Sequence, residues 1–182
     1  MRVLNVLARE HQAIARVVDR LDGELDSVTR RGTLDTEVFE RLLEFLEPAV
    51  DGHHQESQER VLLPRLLARA TCAEDADRAR MLLHDHAAQR TFLALLRDNF
   101  EGAGYGDPTC LVPVARQYVR LQREHTRWER RLLFPLARRM LGRTDDLELL
   151  VELRRLDQAW GATVIATASE LEDWLDQRRV AA

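Results

Sequence analysis

The sequence lacks several features that mark particular classes of protein. It has no lysine, only two cysteines and no long apolar run. Cys72 and Cys110 form neither a CxxC motif nor a zinc-ligand spacing, so we expect reduced thiols rather than a disulfide framework. No apolar stretch approaches the ~20 residues that a membrane-spanning helix needs, and the first residues lack the apolar core of a signal peptide. These absences predict a cytoplasmic protein that has no membrane partner.

Charged residues are abundant, but neither sign is concentrated in one segment. All 27 basic residues are arginine, and 31 acidic residues leave a net charge of −4. The arginines are spread along the whole chain, so they do not form the basic stripe that nucleic-acid-binding proteins present. We predict that nucleic acid is not a partner.

The composition predicts an all-α protein. Strict alternation of polar and apolar residues is rare, and the strong helix formers Leu, Ala, Arg and Glu dominate. With 182 residues the chain is long enough for one domain with a sizeable core. We predict an up-down-up-down four-helix bundle over about residues 1–141, with helices near 2–28, 35–70, 74–100 and 110–141. A helical extension follows over about 145–178, interrupted near Gly161, and 101–108 is the clearest loop.

The second predicted helix contains residues that disturb a regular helix. Pro48 removes a backbone donor and its ring clashes with the preceding turn, and Gly52 follows shortly after it. We therefore predict a kink or break just before His53. Pro64 predicts a second bend near the end of the same helix.

His54 and His125 lie 71 residues apart, in two segments that share a local sequence pattern. Each is followed after ten positions by a proline, and a Leu-Leu pair comes just before that proline. Two further histidines, His11 and His86, lie singly in the amphipathic segments that precede the two copies. This pseudo-repeat suggests a metal site inside a helical bundle.

The spacing within each copy supports a metal site. A residue and the one four positions later share a helix face, since four steps advance ~400°. His125 with Glu129, and His54 with Gln58, can therefore each approach one ion. Four-helix bundles build dinuclear carboxylate centres from such residues, and carboxylate ligands favour iron or manganese. His84 lies ~200° from His86 around a regular helix and is expected to face solvent.

These segments together resemble the hemerythrin-like (HHE cation-binding) domain family over about residues 1–140. The matching pieces are Glu10-His11, His54 through Leu62-Leu63-Pro64, Asp85-His86, and His125 through Glu129 to Leu132-Leu133-Phe134-Pro135. The resemblance implies a non-haem diiron centre. It also implies one of the family's uses, namely reversible oxygen binding, sensing of oxygen or iron, or handling of nitric oxide or peroxide.

One position departs from the family pattern, which has a glutamate four residues after the histidine of the second helix. Gln58 stands there instead, and an amide is a poor anionic bridge. Glu59 follows it, but in a regular helix the fifth residue lies ~140° from the histidine. A local π-bulge would bring Glu59 round. Three readings remain: Glu59 replaces the bridge, Gln58 is a neutral ligand, or the site holds one metal.

The function hypotheses share one set of candidate metal ligands, namely His11, His54, Gln58, Glu59, His86, His125 and Glu129. The first is a non-haem iron protein, with two irons or one metal, that binds or senses a small diatomic ligand or peroxide. The second is an enzyme at the same site, for which only Tyr118 and His53 offer an acid or base beyond the ligands. The third is a metal-free helical protein whose last helix docks a partner. A homodimer is compatible with all three.

Overall fold

The computed structural model describes residues 1–103 and 107–181, and these residues form six helices. Four are regular: α1 (Arg2–Arg31), α3 (Ala73–Ala103), α5 (Arg143–Trp160) and α6 (Val164–Ala181). Helix α2 is composite and consists of Thr36–Phe45, the π-helical segments Leu46–Gln55 and Gln58–Leu62, and Leu63–Arg69. Helix α4 consists of a 3-10 turn at Pro108–Cys110, Leu111–Trp128, a π-helical segment at Glu129–Leu133, and Phe134–Met140. The prediction of an all-α bundle with additional C-terminal helix is confirmed.

The ends of the first two helices follow from local signals. Gly32 ends α1 in the left-handed conformation, with φ 69°, and its N–H donates to the Val28 carbonyl at 2.8 Å. Asp35 caps α2, because its carboxylate accepts a hydrogen bond from the Val38 N–H at 3.2 Å. The predicted start of α2 is thus confirmed, and α1 continues three residues beyond the predicted end at residue 28.

The predicted kink in α2 takes the form of a widened helix. The π-helical segment Leu46–Gln55 contains both Pro48 and Gly52, and the helix continues through it without a break. A wider turn accommodates a proline because it relieves the clash between the ring and the carbonyl of the preceding turn. The segment carries His54 near its end.

A second widened turn occurs at the same place in both copies of the pseudo-repeat. In α2 the Leu63 N–H donates to the Gln58 carbonyl five residues earlier. In α4 the Phe134 N–H donates to the Glu129 carbonyl in the same way. A proline follows directly in each case, at position 64 or 135. The shared local sequence therefore produces the same unusual backbone twice.

One polar layer separates two apolar clusters inside the bundle of α1 to α4. The first cluster includes Leu4, Leu62, Leu66, Leu82 and Phe134. The second includes Leu21, Leu42, Leu93, Leu96 and Tyr118. Burying a leucine side chain contributes ~1.5–3 kcal/mol, so both ends of the bundle are strongly apolar. Between them all four helices place polar side chains at one level, and this polar layer contains Glu10, His11, His54, Gln58, His86, His125 and Glu129.

The C-terminal extension is two helices rather than one. Gly161 ends α5 with φ 78°, which a residue with a side chain rarely adopts, and the predicted interruption lies there. Helix α5 packs on the first cluster through Leu149 and Leu153. Helix α6 packs on the second cluster, where Ala168 is fully buried. The extension therefore covers both apolar ends of the bundle.

Two other features bear on the sequence predictions. Helix α3 continues to Ala103, so the first three residues of the predicted loop 101–108 are helical, and residues 104–106 lie outside the described part of the chain. Among the described helices none has the length and apolar character needed to cross a membrane.

Candidate metal centre

Histidines from all four core helices meet in the polar layer. His11 of α1, His54 of α2, His86 of α3 and His125 of α4 are each at most 5% exposed. They form two pairs with edge-to-face rings. The ring centroids of His11 and His54 lie 4.9 Å apart, and those of His86 and His125 are separated by the same distance. The structure thus brings together the four histidines that sequence reasoning grouped.

The closest group of donor atoms comes from three different helices. His11 Nε2 lies 3.1 Å from His54 Nε2 and 2.6 Å from Glu129 Oε2. One donor atom from each of these three residues lies within 4.8 Å of the other two. Two imidazole nitrogens and a carboxylate oxygen at this spacing could hold a metal ion.

Glu129 also faces the second histidine pair. Its Oε2 lies 3.4 Å from His125 Nε2, as the four-residue spacing predicted. Both Glu129 oxygens are buried, and neither makes a hydrogen bond of good geometry with a described residue, although Oε2 lies close to His11 Nε2. The Nε2 atoms of His86 and His125 are also buried without a hydrogen bond in the described chain. A buried carboxylate without compensation is costly, and a cation among these lone pairs compensates it, so the residues fit a metal.

The widened turn of α2 directs Gln58 into the layer and Glu59 away from its centre. The Gln58 side chain is fully buried, and its Nε2 lies 3.2 Å from His54 Nε2. Glu59 Oε1 instead accepts hydrogen bonds from His86 Nδ1 at 2.8 Å and from Arg90 at 2.7 Å. Glu59 therefore contacts the Nδ1 atom of His86 and not its Nε2 atom.

In three of the four histidines, the Nδ1 atom forms a hydrogen bond with a carboxylate. The pairs are Glu10 with His54 at 2.7 Å, Glu59 with His86 at 2.8 Å, and Asp85 with His125 at 3.3 Å. An Nδ1–H that donates to a carboxylate fixes the tautomer and leaves the Nε2 lone pair free for a metal. His11 differs, since its Nδ1 has no hydrogen bond with the described residues and its ring stacks on Phe134 at 5.6 Å.

Sequence reasoning assigned no role to Glu10 and Asp85. The signal was available, because each directly precedes a histidine of the site. Neighbouring residues of a helix point ~100° apart, so each carboxylate reaches the histidine of the next helix rather than the one beside it in sequence. The partner of Glu10 is His54, and the partner of Asp85 is His125.

Burial and the Glu129 charge set the ionisation of the layer. Burial lowers the pKa of His86 to about 4 and also lowers the pKa of His11. Burial alone would lower the pKa of His54 too, but the hydrogen bond and charge of Glu10 raise it. Burial would raise the pKa of Glu129, yet the neighbouring histidines hold it well below its ordinary value. The ionised Glu129 and the neutral forms favoured at His11 and His86 are the states that metal binding requires. His54, in contrast, has to lose its proton when a metal binds.

Three further candidates from the sequence lie outside the group of Nε2 atoms. His53 turns towards α5, where its Nε2 lies 2.8 Å from Asp157 Oδ1 and its ring stacks on Trp160 at 4.4 Å. His84 is exposed, as its position on the helix predicted. Tyr118 is fully buried in the second cluster, and its hydroxyl accepts a hydrogen bond from Gln122 at 3.1 Å.

Comparison with known proteins agrees with this arrangement. The family model described as the hemerythrin HHE cation binding domain matches residues 2–137, which include every helix that contributes to the polar layer. No curated protein and no solved structure matches the chain significantly. The matched region covers about three quarters of the chain and contains all four layer histidines and Glu129. The chain belongs to the hemerythrin HHE cation-binding domain family and is a metal-binding helical protein.

Proposed function

We propose that this protein binds iron in the polar layer, with two ions per chain, and uses the centre to bind or sense oxygen, nitric oxide or peroxide. One observation carries the proposal. His11, His54 and Glu129 converge from three helices, and the buried Glu129 oxygens make no hydrogen bond of good geometry with the described residues. A mixed set of imidazole and carboxylate ligands favours iron among the metals that imidazole binds.

The residues divide naturally between two ions. His11 and His54 would hold one ion and His86 and His125 the other, with Glu129 between the two pairs. Gln58 would act as a neutral ligand, because its buried Oε1 accepts no hydrogen bond from a described residue. A 180° turn of an amide exchanges its oxygen and nitrogen, so Oε1 could take the position of Nε2 beside His54.

Iron held by these residues would supply redox chemistry and affinity for a small ligand. The side chains of this protein hold the Nε2 lone pairs in place. The two apolar clusters close the layer from both sides. A mainly apolar groove of about 150 Å³ between α1 and α4 is lined by Ile14, Val18 and Gln122 among others, one helical turn from His11 and His125.

Metal analysis tests the proposal. Protein purified without chelator should contain close to two irons per chain and show charge-transfer absorption that changes with oxygen, nitric oxide or peroxide. His11→Ala should remove most of the metal, while His84→Ala, at an exposed position on α3, should keep it. Protein that binds no metal, or His11→Ala protein that keeps its full complement, would refute the proposal. A single ion per chain would restrict the site to His11, His54 and Glu129.

Turnover assays separate ligand binding from the enzyme hypothesis. The two side chains considered as an additional acid or base are engaged elsewhere, His53 with Asp157 and Tyr118 with Gln122. We therefore expect reversible spectral changes without sustained consumption of peroxide or nitric oxide. Steady turnover by the iron-loaded protein would make the enzyme hypothesis the better one.

A further inference from the structure

A second set of polar side chains lies beside the histidine layer and has no role in holding a metal. Gln55 directly follows His54, Gln89 lies one turn after His86, and Gln122 lies one turn before His125. Asp51 is one turn before Gln55 on α2, and Tyr118 is one turn before Gln122 on α4. We call this set the amide group, and it consists of Asp51, Gln55, Gln89, Tyr118 and Gln122.

The amide group is only partly satisfied by its own hydrogen bonds. Gln55 Nε2 donates to Gln89 Oε1 at 2.9 Å, and Gln122 Nε2 donates to the Tyr118 hydroxyl at 3.1 Å. Asp51 Oδ1, Gln55 Oε1 and Gln89 Nε2 are buried and make no hydrogen bond with described residues. The unmatched atoms thus comprise two acceptors and one donor, spread over α2 and α3.

This pattern differs from that of a purely structural polar cluster. Polar networks that serve only packing are self-satisfied, because each buried atom without a partner costs free energy. Water can donate to Asp51 Oδ1 and Gln55 Oε1 and also accept from Gln89 Nε2, so one kind of molecule satisfies all three. Val50, Leu93 and Ala115 of the second cluster have apolar side chains that offer water no hydrogen bond, so water in this region would be held by the amide group.

The amide group contains residues next to the histidine layer along the helices and one residue that is partly exposed. Gln55 is the neighbour of His54 in sequence, and the other two glutamines of the group each lie one turn from a layer histidine. The partly exposed residue is Asp51. Burial raises the pKa of Asp51 to about 7, partly offset by the charge of Arg90. A carboxyl group with such a pKa exchanges protons readily near neutral pH.

We infer that the amide group is a hydrated passage along which water and protons move between solvent at Asp51 and the histidine layer. The inference rests on the proposed metal site, to which the passage leads. Its parts have distinct tasks: Asp51 forms the mouth, and Gln55 and Gln89 hold water at the level of the histidines. Tyr118 and Gln122 line the side towards α4.

Water proton relaxation of the manganese-loaded protein tests the passage. Mn²⁺ accepts the same imidazole and carboxylate ligands and speeds the relaxation of any water that exchanges between the site and bulk. The double variant Gln55→Leu/Gln89→Leu should lose the contribution of exchanging water and leave only that of bulk water passing the surface. Gln12→Leu, at an exposed position on α1, is the matched control and should behave as the wild type. Equal relaxation in the double variant and the control would overturn the inference.

A second variant and a crystal structure test the passage if the first experiment fails for another reason. If the double variant does not fold, Asp51→Leu blocks the mouth alone and should lower the exchange in the same direction. If Mn²⁺ does not bind, the passage is decided instead by a high-resolution crystal structure of the protein, and the iron analysis decides the proposed metal function separately. That structure should show ordered water within hydrogen-bond distance of Asp51 Oδ1, Gln55 Oε1 and Gln89 Nε2. A dry amide group would refute the passage whatever the metal content.

Discussion

The two copies of the pseudo-repeat have the same backbone and different chemistry. Around Gln58 in α2 and around Glu129 in α4, a widened turn forms from the same hydrogen bond, and a proline follows at the same distance. The first copy presents an amide to the layer, whereas the second presents a carboxylate. The helix geometry that directs a side chain inward is therefore independent of the charge of that side chain.

The residue after the inward one differs as well. Glu59 follows Gln58 and holds His86 Nδ1, while the corresponding Arg130 is exposed. His11, the histidine that would match His86 in the other half, keeps a free Nδ1 within the described chain. The carboxylate of the second copy, Glu129, thus lies between the two histidine pairs. The carboxylate of the first copy, Glu59, instead contacts the Nδ1 atom of a histidine.

The largest effect should follow from removing the central charge. Glu129→Gln leaves both histidine pairs without their shared carboxylate. We expect metal affinity to fall by more than the ~10–100-fold typical of residues behind the ligands. Competition with a chelator and metal analysis measure the loss. Glu124→Gln, at an exposed position on α4, is the control. Full retention of metal by Glu129→Gln would show that the layer does not bind through this carboxylate.

The next prediction makes the two copies alike. Gln58→Glu places a second carboxylate opposite Glu129, and repulsion between two cations in a poorly solvated site is then better compensated. We expect tighter binding of the second ion and metal content closer to two per chain. If Glu59→Gln empties a site while Gln58→Glu changes nothing, Glu59 supplies the bridge. If neither substitution alters the stoichiometry, the two-metal proposal should be abandoned for one ion or none.

Replacing a carboxylate that is hydrogen-bonded to a histidine Nδ1 should lower metal affinity by a smaller factor. Glu10→Gln and Asp85→Asn each weaken the hold on one Nδ1, and such partners typically contribute ~10–100-fold to metal affinity. Glu10 should matter more, because its contact with His54 is 2.7 Å, compared with 3.3 Å for Asp85 and His125. Glu56→Gln, which alters an exposed ion pair with Arg60, serves as the control. A larger loss for Asp85→Asn than for Glu10→Gln would contradict this order.

Acid should affect the metal-free protein unequally in the two halves. His86 has a pKa of about 4 in the folded protein and 6.5 ordinarily, so between these values the unfolded chain takes up a proton that the folded one does not. Its contribution to the free energy of unfolding therefore falls as the pH drops from 6.5 towards 4. The pKa of His54 is raised, so its contribution is present at low pH and is lost as the pH rises. Nitrogen NMR titration should find His86 neutral where His54 is protonated.

The smallest effect concerns the outer face of α3. His84→Ala should leave metal content, absorption and thermal stability unchanged, because the side chain is exposed and points away from the layer. His86→Ala provides the contrast on the same helix. Comparable losses in the two variants would mean that α3 turns a different face to the bundle than the structure shows.

Much of the fold and of the site could be predicted from the sequence, because both depend on local periodicity. Helical spacing predicted the four core helices, and the common spacing of His54 and His125 predicted that their segments behave alike. The same reasoning placed His84 outside the layer and expected irregular geometry at Pro48. It missed the roles of Glu10, Asp85, Gln55 and Gln89, since their partners belong to other helices.

The sequence by itself determined which residues can share a helix face, where the helices break, and which histidines could form one layer. Only the tertiary structure decided that Gln58 faces the layer while Glu59 turns to His86, and which apolar cluster each of the two C-terminal helices covers. The physical reason is that periodicity describes a helix relative to its own axis. The rotation and depth of each helix against its neighbours are set by packing across the whole core.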